Sequence, residues 1–269
     1  MATLSYHEQK DIENIKKLRE LQKELPSFCS DFFRGIETST STRTRIAYAY
    51  DLKIFFQFLK AANPGTFDNP SHTLTPSDLE KLTVTDLEEY IDYLKCHPSD
   101  TNEDVINTER GLMRKVSSLR SFYSYFFRNE LIEKNPAALV RMPKLHEKEI
   151  IRLEIDEVAK LLDEVEEGDK LTEKQKLYHE RTKVRDLAMM SLLLGPGIRV
   201  SDCVGLHIND IALDTCGARV YRKGGKESVI YFSDEVRDVL ENYLDEREMI
   251  DAVPGNEDAL FLSMQRKRI

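Results

Sequence analysis

Apolar residues recur at helical spacing through most of this chain, and a strand period of two shows at only one place. That contrast restricts the fold to a mainly α protein with a small antiparallel β-sheet. Ile12, Ile15, Leu18 and Leu21 mark an amphipathic helix over residues 7–25 that ends before Pro26, and Phe28, Phe32, Phe33 and Ile36 suit a short helix after it. The hydroxyl-rich run TSTSTRTR at 38–45 leads into a helix that Asn-Pro-Gly stops at 63–65, and 66–82 reads as loop. Leu87, Tyr90, Ile91 and Leu94 mark a helix over 83–97, and Leu112, Val116, Leu119, Tyr123 and Phe126 another within 108–132. Further helices are expected near 155–166, 183–194 and 199–205. The strand period lies in GARVYRKGGKESVIYFS, residues 217–233, where two β-rich runs flank Gly224-Gly225 as a two-residue primed turn. A helix with an acidic first turn and a stripe of Val236, Val239, Leu240, Tyr243 and Leu244 follows.

A length of 269 residues suits two ordinary domains. The expected division is an N-terminal helical extension at 1–37, a helical domain at 38–135, a linker at 136–149 with two prolines and many charges, and a second domain at 150–269. Hydrophobic residues at 41% and charged residues at 32% describe a packed chain and exclude a disordered one. Cys29, Cys96, Cys203 and Cys216 form no Cys-x-x-Cys pair and read as free thiols of a reducing compartment, the cytoplasm. His72, His97 and His146 do not pair at ligand spacing, so no metal site is expected. The N-terminus is charged throughout and no apolar run reaches the length of a membrane span, so no membrane partner is expected.

The net charge of −9 argues against nucleic acid, yet its distribution argues the other way. Arg43, Arg45, Lys53 and Lys60 face only Asp51 within 40–60, and Arg110, Arg114, Lys115, Arg120 and Arg128 face only Glu109 within 107–128. Interleaved hydroxyls, Thr42 and Ser118 among them, can donate to phosphate oxygens. Arg199 poses a separate question: in LLGPGIRVSDCVGL, residues 193–206, it follows a Gly-Pro-Gly break among apolar neighbours. Removing an arginine from water costs on the order of several kcal/mol unless it is paired. Its place therefore implies either a buried ion pair or a functional role.

The order of TSTSTRTRIAYAYDLKIFFQFL, LMRKVSSLRSFYSYFFRNELIEKNPAALVRMPK, GPGIRVSDCVGL and YRKGGKESVIYF resembles the tyrosine recombinases of the integrase and Xer type, across roughly 38–269. The resemblance implies a two-domain architecture, a helical core-binding domain and an α+β catalytic domain clamped round duplex DNA, with self-association on DNA. It implies strand cleavage by a tyrosine that leaves a 3′-phosphotyrosine, with no metal and no cofactor. Arg199 matches the family's first catalytic arginine, with Asp202 on the same helical face to orient it, and Lys223 matches the hairpin lysine that protonates the leaving oxygen, with Lys226 as the second candidate. Thr42, Arg43, Arg45, Arg114, Ser118 and Arg120 become the expected DNA contacts. Pro196 stands where the family usually has a small residue, and residues 1–269 contain no counterpart of its His-x-x-Arg motif or nucleophilic tyrosine. Tyr221, Tyr231 and Tyr243 are expected to pack. The expectation is thus a polypeptide that binds duplex DNA without cleaving it. The alternatives are a non-catalytic remnant that competes at recombination sites and a helical protein-interaction module.

Overall fold

The computed structural model describes residues 6–69, 72–98, 103–146, 149, 151–222 and 226–269. The chain divides into two compact units, His7–Glu149 and a second that takes in Ile150–Ile269. In the first, α1 (Tyr6–Lys23) and α2 (Cys29–Gly35) precede α3 (Thr42–Ala62), α4 (Pro64–Phe67), α5 (Pro76–Leu79) and α6 (Val84–Lys95). A short antiparallel pair, β1 (Cys96–Pro98) with β2 (Asp104–Ile106), leads to α7 (Glu109–Arg128) and α8 (Pro136–Leu139).

Hydroxyl caps set where these helices begin. The Ser41 hydroxyl accepts from the Thr44 amide at 3.2 Å, and Thr83 and Asp86 cap each other reciprocally at the start of α6. The segment expected as loop over 66–82 contains α5, which Pro76 at its first turn and the Thr75–Asp78 capping box make possible. Phe122 of α7 stands at the centre of the core, with the rings of Phe126, Phe32, Phe28 and Phe56 at 5.0, 5.2, 6.2 and 6.2 Å. Since Phe28 and Phe32 precede residue 37, the boundary expected there is no break in packing: residues 18–36 line the same core as α3 and α7. Likewise, Ala137 and Val140 are buried, so the packed unit extends into the stretch read as linker.

The second unit comprises α9 (Ile155–Glu167), α10 (Glu173–His179), α11 (Lys183–Leu194), α12 (Val200–Gly205), a three-stranded antiparallel sheet and α13 (Asp234–Glu248). The sheet order is β3 (Ile211–Ala212), β4 (Gly217–Arg222), β5 (Lys226–Tyr231). Arg222 pairs with Lys226, and Gly224-Gly225, expected as the turn between the two strands, lies outside the described residues. α11 packs between α9 and α13, and Leu192, Cys203, Val220, Leu240 and Phe261 join in one core. α10 was not expected, because its exposed Leu177 and Tyr178 give no buried stripe.

Arg247 fastens the last segment to this core. Buried at the end of α13, it donates to the carbonyls of Ala259, Ile250 and Glu257 at 3.1, 3.1 and 2.8 Å. Arg247→Leu removes three donors at once and is expected to lower local stability by about 2–3 kcal/mol. Limited proteolysis within 249–262 should then be at least about tenfold faster than in the parent; an unchanged rate would contradict the assignment.

Candidate functional site

The approach to Arg199 is built by three residues in sequence. Gly195 ends α11 with its amide on the Ser191 carbonyl at 2.9 Å, Pro196 cannot continue the helix, and Gly197 turns the chain at φ +70°, where a side chain is disfavoured. Ile198 then buries in the core, so its neighbour must face the other way. Arg199 becomes the N-cap of α12, its carbonyl accepting the Asp202 and Cys203 amides at 2.9 Å each. Its side chain is 72% exposed, so the burial that the apolar neighbours suggested does not occur. Asp202 is 9% exposed, lies 3.9 Å from the Arg199 guanidinium and accepts from the Ser201 hydroxyl at 3.2 Å. At 3.9 Å, with the guanidinium side open to water, the pair contributes about 0–1 kcal/mol. The guanidinium thus lies near Asp202 and is open to solvent.

The hairpin shares this scaffold. Ala218 and Val220 point inward and pack with Cys203 and Leu206 of the α12 region, which fixes the base of β4 against the segment carrying Arg199. Lys223 lies outside the described residues, as does the side chain of Lys226 at the start of β5. Tyr243 is buried, donates to the Leu260 carbonyl at 2.9 Å and stacks on Phe261 at 5.2 Å; burial pushes its phenol up to about 12. Tyr221 is half-buried. Tyr231 departs from the packing expected of it: it is 70% exposed on the edge strand β5. Among the described residues no group of three or more His, Cys, Asp or Glu side chains is placed to hold a metal ion.

The basic helices divide differently from the sequence reading. Thr42 and Ser118 are buried, Ser118 donating to the Lys115 carbonyl at 2.9 Å, so neither presents a hydroxyl to an outside ligand. Arg45 is buried against Glu37 at 2.7 Å. Arg120 is spent on main-chain oxygens of Ala137 and Val140, and so locks α7 to the end of α8. Arg114 bridges helices: its two terminal nitrogens donate to Asp51 of α3 at 2.5 and 2.7 Å. Burial pulls the Asp51 carboxyl up against the opposing pull of Arg114, and burial lowers the Lys115 ammonium, which donates to Asn107 at 2.7 Å. Of the expected contacts on these helices, Arg43 remains exposed, with no side-chain partner among the described residues.

What the sequence reading passed over is a stripe. Arg110, Arg114, Ser117, Ser121, Ser124 and Arg128 recur at four- and three-residue steps along α7, none of the six is buried, and the apolar stripe occupies the other face. The polar spacing was present in the sequence, hidden by counting every cation in the window alike.

Residues 151–269 match the Phage integrase family. Relatives include tyrosine recombinase XerC of Caldanaerobacter subterraneus, 34% identical over 91% of this chain and 65% of its own length. Tyrosine recombinase XerS of Streptococcus uberis is 30% identical over 94% of this chain and 76% of its own length. The chain belongs to the tyrosine recombinase family. It spans about two thirds of the length of the recombinases it matches. The same fold occurs in a lambda integrase tetramer bound to a Holliday junction, with TM-score 0.56, 18% identity and coverage of 90% of this chain and 60% of that one. It occurs too in the Tn1549 transposon integrase in complex with transposon right end DNA, with TM-score 0.57, 15% identity and coverage of 90% and 72%.

The Asp51–Arg114 pair makes an asymmetric prediction. Asp51 is 2% exposed whereas the Arg114 side chain is 46% exposed. Arg114→Met leaves a buried carboxylate without its main partner and is expected to cost about 3 kcal/mol or more. Asp51→Asn leaves a guanidinium that can reach water and should cost about 1–2 kcal/mol. Thermal unfolding of the two variants followed by circular dichroism checks the order, and equal losses would contradict it.

Proposed function

We propose that this chain is the DNA-gripping part of a site-specific recombinase, which holds duplex DNA through the α7 stripe and Arg43 and holds the scissile phosphate through Arg199. The observation that carries the reading is the exposed, loosely paired guanidinium of Arg199 at the start of α12. A planar fork of N–H donors matches two oxygens of one phosphate, and charge that develops on those oxygens during transfer is stabilised by it. Asp202 keeps the fork oriented while it is empty. Lys223, with Lys226 as the alternative, supplies the proton to the departing 5′-oxygen from the hairpin tip.

Within residues 1–269 Tyr243 is committed to the Leu260 carbonyl and no His-x-x-Arg motif occurs, which supports a non-cleaving reading. A polypeptide of these residues is proposed to bind DNA, and to assemble on it with further copies, without forming a phosphotyrosine. The recombinase names of its relatives and the DNA-bound structures that share its fold support the partner. The site of action would be the cytoplasm. Consistent with that, no helix among the described residues is long and apolar enough to cross a membrane.

Duplex binding should weaken steeply with salt, and Arg110→Ala and Arg128→Ala should each reduce the slope of log affinity against log salt by about 1. Fluorescence anisotropy over a salt series measures both; salt-independent binding, or no binding, would overturn the DNA reading in favour of a protein-interaction module. On a nicked suicide duplex the 269-residue polypeptide should give no adduct that survives denaturant. A covalent adduct would overturn the non-cleaving part alone.

A further inference from the structure

A second cationic site lies away from the Arg199 turn. A cavity of about 220 Å³ opens between the start of α11, the last turns of α13 and the turn at 263–266, lined by Arg181, Arg185, Arg266 and Glu246 together with Ile250 and Leu262. Arg185 is already engaged, with two nitrogens on Asp186 at 2.8 and 2.6 Å and a third on the Leu262 carbonyl at 2.9 Å. It builds the wall. Arg181 and Arg266 differ: among the described residues neither side chain meets a carboxylate or carbonyl. Both residues are exposed, and two like charges that line one cavity favour an anion shared between them.

The placement of Arg266 is fixed by the backbone. It stands at φ +58°, a left-handed conformation uncommon for residues with a side chain. Three main-chain bonds hold it there: Arg266 amide to Ser263 carbonyl at 2.8 Å, Ser263 amide to Lys267 carbonyl at 2.7 Å, and Val253 amide to Arg266 carbonyl at 2.9 Å. The root of the side chain is thus set before any ligand arrives. From this geometry we infer that the cavity is a phosphate site, with Arg181 and Arg266 as its two clamps and Glu246 as an opposing charge that limits its affinity. A tetrahedral oxyanion offers separate oxygens to the two guanidiniums, so each can form a forked pair of N–H bonds, whereas a halide offers a single acceptor atom. The phosphate comes either from a free phosphorylated small molecule or from the DNA backbone.

Calorimetric titration of the full chain with inorganic phosphate, at ionic strength held constant with chloride, tests the assignment. Saturable binding is expected, weakened at least about tenfold in Arg181→Ala/Arg266→Ala and tightened about threefold in Glu246→Gln. The gain in Glu246→Gln cannot arise from misfolding, which would only lose binding. A competing duplex separates the two sources: displacement of phosphate, with duplex affinity reduced in the double variant, assigns the site to the DNA backbone, and unchanged duplex affinity assigns it to a small phosphorylated molecule. Phosphate binding no stronger than chloride, or unaltered by all three substitutions, would overturn the site.

Discussion

The role proposed for Arg199 depends on one constraint, the reversal of the chain at Gly195, Pro196 and Gly197. The helix α11 must stop, the chain must turn through a left-handed residue, and Ile198 must enter the core; the next side chain is then left outside. A Cβ at Gly197 would meet no neighbour, so the demand for glycine there is one of backbone conformation and not of space. At Gly195 the demand is steric, since a Cβ would approach the Ser191 carbonyl oxygen to 2.9 Å. Pro196 contributes to ending α11.

In the first unit the same logic separates cations that hold the protein together from cations that can hold something else. Arg45, Arg114 and Arg120 are tied to Glu37, Asp51 and the carbonyls after α8. Arg114 serves both sides, since its nitrogens reach a buried carboxylate while its stem lies on the exposed stripe of α7. The surface proposed to meet DNA lies next to this pair, whose bidentate contact cross-links α3 and α7. The overall charge of −9 is compatible with this surface because its cations are concentrated on a few faces.

Much of the fold could be read from the sequence because helical periodicity and capping are local. The spans of α3, α6, α7 and α13 follow from apolar stripes and from hydroxyl residues before them, and the β4–β5 hairpin from its alternation. The short elements α4, α5, β1, β2 and α10 were not legible, since their apolar content is too small to give a period. The site was legible in kind, and less so in detail. Arg199 could be singled out, but its exposure depends on the left-handed turn before it, and the sequence placed it among apolar residues without saying which way it faces. Arg45 and Arg120 look like Arg43 in sequence; only their partners, eight and more residues away, show that they are structural. Tyr231 was misread for a related reason, because alternation alone does not say which face of an edge strand is covered.

The central claim is that Arg199 is free to receive a backbone phosphate. Its most direct test is the distance from the Arg199 guanidinium to the nearest phosphate in a structure of this chain bound to duplex DNA. The account predicts two nitrogens on a single phosphate at about 2.7–2.9 Å, with Asp202 no closer to Arg199 than it is in the free chain. A guanidinium turned onto Asp202 in a tight bidentate pair, with no phosphate in reach, would contradict it.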